Sequence, residues 1–187
     1  MKTISSKKLI YLMNNKLNLE KLLNKIKLPQ RKLCKNLLKD FEKEIINLPG
    51  SKTKHQAWSG GYKDHLEETM NIAQILYRTL NSKRKLEFSL SGSLFTLFIH
   101  DFDKIFRYTN NKQETRNFDL FFKDYLYKKY KYRLSKEEFN ALKYIHGENT
   151  DYHPTKKIML PLTAFVHCCD IISSRIWFDR GKNEKLW

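Results

Sequence analysis

Apolar side chains recur at helical spacing along most of this 187-residue chain. Only 6 glycines and 4 prolines interrupt these stretches. A protein built from many short strands needs frequent turn residues, so their scarcity favours long helices. We therefore predict an all-α protein, and the length favours one compact domain.

The apolar stretches also predict where the helices lie. The helix over 86–105 is mostly apolar, so we expect it to be the buried central helix, with His100 and Asp101 near its end. Pro49 and Gly50 should end an earlier helix and open a loop that extends to Gly61. In chain order, the predicted helices are 7–25, 29–47, 62–80, 86–105, 118–132, one that begins at the capping-box pattern Ser135 to Glu138, and 158–178.

The formal net charge of +16 results from 36 lysines and arginines against 20 aspartates and glutamates. Half of this excess lies in the first 50 residues. Polyanions are the natural partners of such a chain. A lysine-rich solvated surface explains the charge equally well, so both interpretations stay open.

The cysteines and the apolar stretches bear on location. Cys34, Cys168 and Cys169 are odd in number and include an adjacent pair, so we expect no disulfide framework and a cytoplasmic location. The apolar stretches are too short for a membrane span, and the N-terminus lacks the apolar segment of a signal peptide. We expect no membrane partner, and nothing indicates an obligate protein partner.

Histidines and aspartates in or beside apolar stretches are candidate metal ligands. Asp170 is costly to bury unless it is paired or binds a cation. Imidazole nitrogens together with carboxylate oxygens suit divalent cations. Taken singly, His100 is explained as a satisfied core histidine and Asp170 as one partner of a salt bridge between helices. Together, His65, His100, Asp101 and Asp170 predict a divalent-metal site.

A local motif precedes this set of residues. From His55 to His65 the chain reads His-Gln-Ala-Trp-Ser-Gly-Gly-Tyr-Lys-Asp-His. This segment resembles a signature of the HD-domain metal-dependent phosphohydrolase superfamily, in the branch with HD-type 3′-5′ exoribonucleases and relaxase-associated HD domains. His100-Asp101-Phe102-Asp103-Lys104 is similar to the His-Asp-x-Gly-Lys form, with Asp103 where glycine is common. The resemblance covers about residues 50–178.

The resemblance implies roles for individual residues. It implies that a first metal ion is held by two histidines and two aspartates, and that Asp101 and Lys104 are catalytic, with Lys104 contacting phosphate. His146 would hold a second ion, so the site contains one or two ions. The expected metal is Mn²⁺ or Mg²⁺, with Fe²⁺, Co²⁺, Ni²⁺ and Zn²⁺ as alternatives. The ligands of the first ion would be His65, His100, Asp101 and Asp170.

Further residues are candidates for contact with the substrate or for support of the site. Arg107 and Lys104 would assist electrostatically. His55 and Trp58 would shape the mouth of the pocket, although an anchoring role in the loop is an equal alternative. His153 and His167 are weaker candidates, with a supporting or structural role favoured over ligation.

The resemblance implies hydrolysis of a phosphoester in a nucleotide or single-stranded nucleic acid by metal-activated water. Residues 50–187 would form an HD-type core, on which basic helices within 1–49 pack. One alternative is a small-nucleotide phosphohydrolase that acts on a dNMP, a dNTP or a cyclic nucleotide. Another is a non-catalytic HD-fold protein that binds nucleic acid, and a third is a purely structural or inhibitory interaction protein.

Overall fold

The computed structural model describes residues 16–108 and 118–176, and these form a helical bundle without strands. The prediction of an all-α protein is confirmed. A short 3₁₀ turn, Asn149–Asp151, precedes the last helix, which continues into a π-helical turn, Ile172–Ile176. The helices are α1 Leu19–Leu23, α2 Gln30–Asp40, α3 Glu42–Asn47, α4 Gly61–Lys83, α5 Leu90–Ile99, α6 Asp103–Tyr108, α7 Phe118–Tyr130, α8 Lys136–Tyr144 and α9 Pro161–Ile171.

Helices α4 and α5 form the centre of the bundle. Helix α4 packs against α1, α3, α5 and α9, and α5 also contacts α2, α8 and α9. Every residue of α5 from Ser93 to Ile99 is buried, as predicted for the most apolar helix. One contiguous core results, and its largest fully buried side chains are aromatic: Tyr62, Phe95, Phe98, Phe102 and Phe122.

Local capping fixes where two of these helices begin. The Ser89 hydroxyl accepts a hydrogen bond from the Gly92 amide (3.0 Å) and starts α5. At α8, the Ser135 hydroxyl accepts from the Glu138 amide (3.2 Å), and the Glu138 carboxylate accepts from the Ser135 amide (2.8 Å). The predicted capping box is therefore confirmed.

The predicted helix over 86–105 is wrong at both ends, and α5 begins only at Leu90. Helix α5 stops at Ile99, and His100, Asp101 and Phe102 form a turn before α6. Within this turn the Lys104 amide donates to the Asp101 carbonyl (3.0 Å), a bond that spans three residues instead of four. His100 and Asp101 therefore do not lie inside a continuous helix, so the turn, not helical spacing, sets their relative directions.

The predicted helix over 29–47 divides at Phe41, whose backbone angles (φ −125°, ψ 29°) are not helical. The Phe41 ring packs edge-on against Phe102 and Phe106, at centroid distances of 5.6 and 5.8 Å. These partners lie far along the chain, so no local pattern announces the break.

The other predicted helix boundaries lie closer to the observed ones. The helix predicted over 62–80 is confirmed and extends over Gly61–Lys83. Of the helix predicted over 7–25, residues 1–15 lie outside the described residues, and 19–23 are helical. The last helix begins at Pro161, not at 158, and the helix predicted over 118–132 ends at Tyr130. In the part of the chain that the structure describes, no helix combines the length and apolarity needed to cross a bilayer.

Candidate metal centre

Three separate segments bring the four predicted ligands together. Helix α4 carries His65, the turn after α5 carries His100 and Asp101, and α9 carries Asp170. All four are buried, with exposed fractions between 0% and 8%. Helices α4, α5 and α9 pack against one another, and this packing is what joins side chains that are distant in sequence.

The spacing of the ligand atoms suits a single cation. His65 Nε2 lies 3.4 Å from Asp101 Oδ2 and 3.1 Å from Asp170 Oδ1, and His100 Nε2 lies 3.2 and 3.7 Å from the same oxygens. Two ligands each about 2.1 Å from one ion are separated by roughly 3.0–3.4 Å at octahedral or tetrahedral angles. Three of the four observed separations fall in this range, and His65, His100 and Asp101 form the compact group that could hold an ion, with Asp170 beside it.

The histidine nitrogens that face the cluster have no hydrogen-bond partner. Nε2 of His65 and Nε2 of His100 are both buried, and neither makes a hydrogen bond despite the nearby carboxylates. An unsatisfied buried polar atom costs about 1–3 kcal/mol. Nitrogen and oxygen atoms lie close together without an aligned hydrogen bond when both point at a metal ion between them. These donors therefore fit a divalent cation.

A backbone contact fixes the tautomer of His100. Its Nδ1 lies 2.7 Å from the Leu97 carbonyl oxygen. Because a carbonyl only accepts, Nδ1 carries a proton and donates it. Nε2 then offers its lone pair to the cluster whenever His100 is neutral, which is the form that binds a metal.

A buried network fixes the orientation of His65. The Ser173 hydroxyl donates to Glu68 Oε2 (2.6 Å), so its oxygen accepts from His65 Nδ1 (3.1 Å). Gln56 Nε2 donates to the same Glu68 oxygen (2.5 Å). Sequence analysis missed this network. The available signal was spacing, since Glu68 follows His65 by three residues and Ser173 follows Asp170 by three.

Removing the Ser173 hydroxyl should weaken metal binding. In Ser173→Ala, His65 loses its acceptor and Glu68 loses a donor, so we expect metal affinity to fall by about 10- to 100-fold. A competition titration with a chelating dye measures this affinity. Ser93→Ala is the matched control, because Ser93 is also buried and its hydroxyl donates only to the Ser89 carbonyl. Equal affinities in the two variants would contradict the supporting role of Ser173.

The cluster is strongly coupled electrostatically. Burial alone would raise the pKa of Asp101 and of Asp170, but neighbouring cations hold both pKa values well below the usual range: His100 and then Lys104 for Asp101, and His100 and then His146 for Asp170. Burial likewise lowers the pKa of His100, but the carboxylates outweigh it, Asp101 most, and raise this pKa to about 9. Without a cation, the site therefore holds an extra proton at neutral pH.

Metal affinity should depend on pH for this reason. Below pH 9 a cation must displace the His100 proton, so the affinity should rise by about tenfold per pH unit up to that pH. Chelator competition between pH 6 and pH 10 measures this slope. Addition of metal in weak buffer should also release protons. An affinity independent of pH would contradict the displacement of a proton.

His146 lies at the outer edge of the cluster. Its Nε2 is 3.4 Å from Asp101 Oδ1, and its Nδ1 is 3.4 Å from Asp170 Oδ2. The side chain is 56% exposed, unlike the four buried ligands. His146 therefore contacts both carboxylates from the solvent side, at a position suited to a second ion or to covering the site.

A cleft of about 530 Å³ opens over Asp101 and Asp170. Lys104 lies in its wall, nearly buried, and forms a close ion pair with the Asp101 carboxylate. Arg107 also lines the cleft and pairs with Asp103 at 2.6 Å. Both side chains predicted to contact phosphate therefore line the cleft, and Asp103 restrains Arg107.

The other predicted residues divide into two groups. His55 and His167 line the cleft, and the His55 ring lies 5.0 Å from the His65 ring. Trp58 donates its indole N–H to Asp64 (2.8 Å) and does not line the cleft, which favours the loop-anchor alternative. His153 is exposed and contacts Thr155, away from the cleft.

Two glycines hold the loop that carries His55 against α4. Gly60 has φ +85°, a conformation that side chains rarely adopt. A Cβ on Gly61 would lie 1.9 Å from the Gln56 carbonyl oxygen, which accepts from the Gly50 and Trp58 amides at 2.9 Å. The Gly-Gly pair therefore permits the tight turn that places Gln56 beside Glu68.

Comparison with known proteins adds nothing to the description of this site. The arrangement consists of two buried imidazole nitrogens that make no hydrogen bond and two buried carboxylates beneath a basic cleft. Comparison of the chain with protein-family models, with curated proteins and with solved structures finds no match, so the interpretation of the site rests on its own residues and geometry.

Proposed function

We propose that this protein is a divalent-metal-dependent phosphohydrolase of HD type. The observation that carries the proposal is the pair of buried, unpartnered Nε2 atoms of His65 and His100 beside the carboxylates of Asp101 and Asp170. An ion pair alone gives no reason for both buried Nε2 atoms to lie beside carboxylates without an aligned hydrogen bond. A cation gives one.

The metal ligands would be His65, His100, Asp101 and Asp170, with His146 available to a second ion. A divalent cation in such a site supplies Lewis acidity and a water nucleophile of lowered pKa. The nitrogen and oxygen donors suit Mn²⁺, with Mg²⁺, Fe²⁺, Co²⁺, Ni²⁺ and Zn²⁺ as alternatives.

The chain's own cations would bind and orient the phosphoryl group. Lys104, held by Asp101, places an ammonium in the wall of the cleft, and Arg107 offers a guanidinium from the same wall. Both favour a phosphoester and offset negative charge that develops on its oxygens. We therefore propose a phosphoester of a nucleotide or of single-stranded nucleic acid as the substrate.

Metal analysis of the purified full-length chain, combined with a substrate screen, tests the proposal. The screen contains nucleoside mono- and triphosphates, cyclic nucleotides and short single-stranded RNA and DNA. We expect stoichiometric divalent metal and a phosphate-bearing product whose formation stops on chelation. Metal-free protein without turnover on any of these substrates would overturn the proposal. Tight nucleic-acid binding without turnover would support a non-catalytic binding protein instead.

A further inference from the structure

The walls of the cleft carry basic side chains that the metal cluster does not use. Within the described residues, the only carboxylates that line the cleft are Asp101 and Asp170, both assigned to the cation. Cationic walls beside a metal site indicate an anionic occupant. The basic side chains come from the loop before α4, from α6 and from the turn after α9: Lys52, Lys54, Arg107 and Arg175.

What sets these basic residues apart from the rest of the lysine-rich chain is their position on the cleft. A few exposed lysines elsewhere pair with acidic neighbours, as in Lys129 with Asp40 (2.9 Å) and Lys143 with Asp151 (2.7 Å), while other exposed lysines, such as Lys35 and Lys83, form no ion pair within the described residues. At the cleft, Arg107 has such a partner in Asp103. The other three basic residues form no ion pair with any carboxylate in the described part of the chain: Lys52, Lys54 and Arg175.

These three residues, called the rim below, lie on neighbouring segments. Gln56, in the loop that carries Lys52 and Lys54, donates to the Ser173 hydroxyl (3.4 Å), two residues before Arg175. All three rim side chains are exposed, whereas Lys104 is nearly buried beside Asp101. The rim is therefore a basic surface at the open side of the cleft, separate from the cation at its floor.

We propose that the rim binds a second phosphate group of the substrate, distinct from the one that is hydrolysed. This inference rests on the proposed function, because it takes the metal centre as the position of the scissile phosphate. The rim cations are long, flexible side chains that line the same cleft as the Asp101 and Asp170 carboxylates, and phosphate is the anion that such side chains bind. The substrate class is therefore a nucleotide compound with at least two phosphates, either a phosphodiester chain or a nucleoside polyphosphate.

A charge-matched pair of double variants tests the rim. Lys54→Gln with Arg175→Gln removes two positive charges from it. Lys83→Gln with Arg84→Gln removes two exposed charges at the far end of α4, and Lys83 lies roughly 27 Å along the helix axis from His65. Equilibrium binding to the full-length chain is measured by fluorescence anisotropy in the presence of Mn²⁺, with non-hydrolysable analogues as probes, so that hydrolysis does not interfere. The labelled probes are a 5′-phosphorylated dinucleotide, a nucleoside triphosphate and a nucleoside monophosphate.

We expect the rim variant to bind the dinucleotide or the triphosphate roughly tenfold or more weakly than wild type does. Binding of the monophosphate should change little. The charge control should match wild type. Loss with the dinucleotide identifies a phosphodiester chain, and loss with the triphosphate identifies a polyphosphate. Equal binding by the rim variant and the control overturns the proposal. A wild-type protein that binds neither the dinucleotide nor the triphosphate overturns it as well. Rim-dependent binding without metal-dependent turnover would instead count against the proposed hydrolysis alone.

Discussion

Replacing Asp101 with asparagine is expected to abolish metal binding and turnover together. Asp101 is 2% exposed, and one of its oxygens lies 3.4 and 3.2 Å from the Nε2 atoms of His65 and His100. Asparagine keeps the shape but removes the charge that attracts the cation. If the metal lowers the activation barrier by about 4 kcal/mol, its loss should reduce turnover by about 10³-fold or more.

The control for this variant is Asp124→Asn, the same chemical change at an exposed position on α7. Metal content by mass spectrometry and turnover on the best substrate of the screen are measured for both proteins. Circular dichroism checks that each is folded. An Asp101→Asn protein that retains metal and turnover at the level of Asp124→Asn would refute the metal centre.

Substituting alanine for Gly61 should have the largest effect on stability. The added Cβ would lie 1.9 Å from the Gln56 carbonyl oxygen and 3.0 Å from the Gly50 amide nitrogen, both of them backbone atoms. The loop has to move, and with it the hydrogen bonds that the Gln56 carbonyl accepts. Overpacking combined with lost hydrogen bonds should reduce the free energy of unfolding by on the order of 3 kcal/mol.

Gly92→Ala provides the matched control for this substitution. Gly92 lies within α5, and a Cβ there would make an ordinary contact 3.4 Å from the Ser89 hydroxyl. Alanine is favoured over glycine inside a helix by about 0.5–1 kcal/mol, so this variant should be neutral or stabilised. Urea unfolding in EDTA compares the two variants without metal linkage. Equal midpoints would show that the Gly61 contact does not constrain the loop.

The helical class was predictable from the sequence, and so was the choice of candidate metal-ligating residues. Helical periodicity is a local property, as are the scarcity of turn residues and the capping pattern at Ser135. His65, His100, Asp101 and Asp170 were selected by residue type and by their resemblance to a known motif. The structure then brings all four within a few ångströms, at separations that no spacing along the chain fixes.

Tertiary structure alone decided how these donors are presented. The break at Phe41 depends on rings more than 60 residues away, and the Ser173 contacts that orient His65 span 105 and 108 residues. The rim likewise combines a loop before α4 with a turn after α9. Local sequence sets the backbone's preferred conformation and the chemistry of each side chain. The packing of α4, α5 and α9 determines which lone pairs face one another, because such contacts exist only once distant segments are in place.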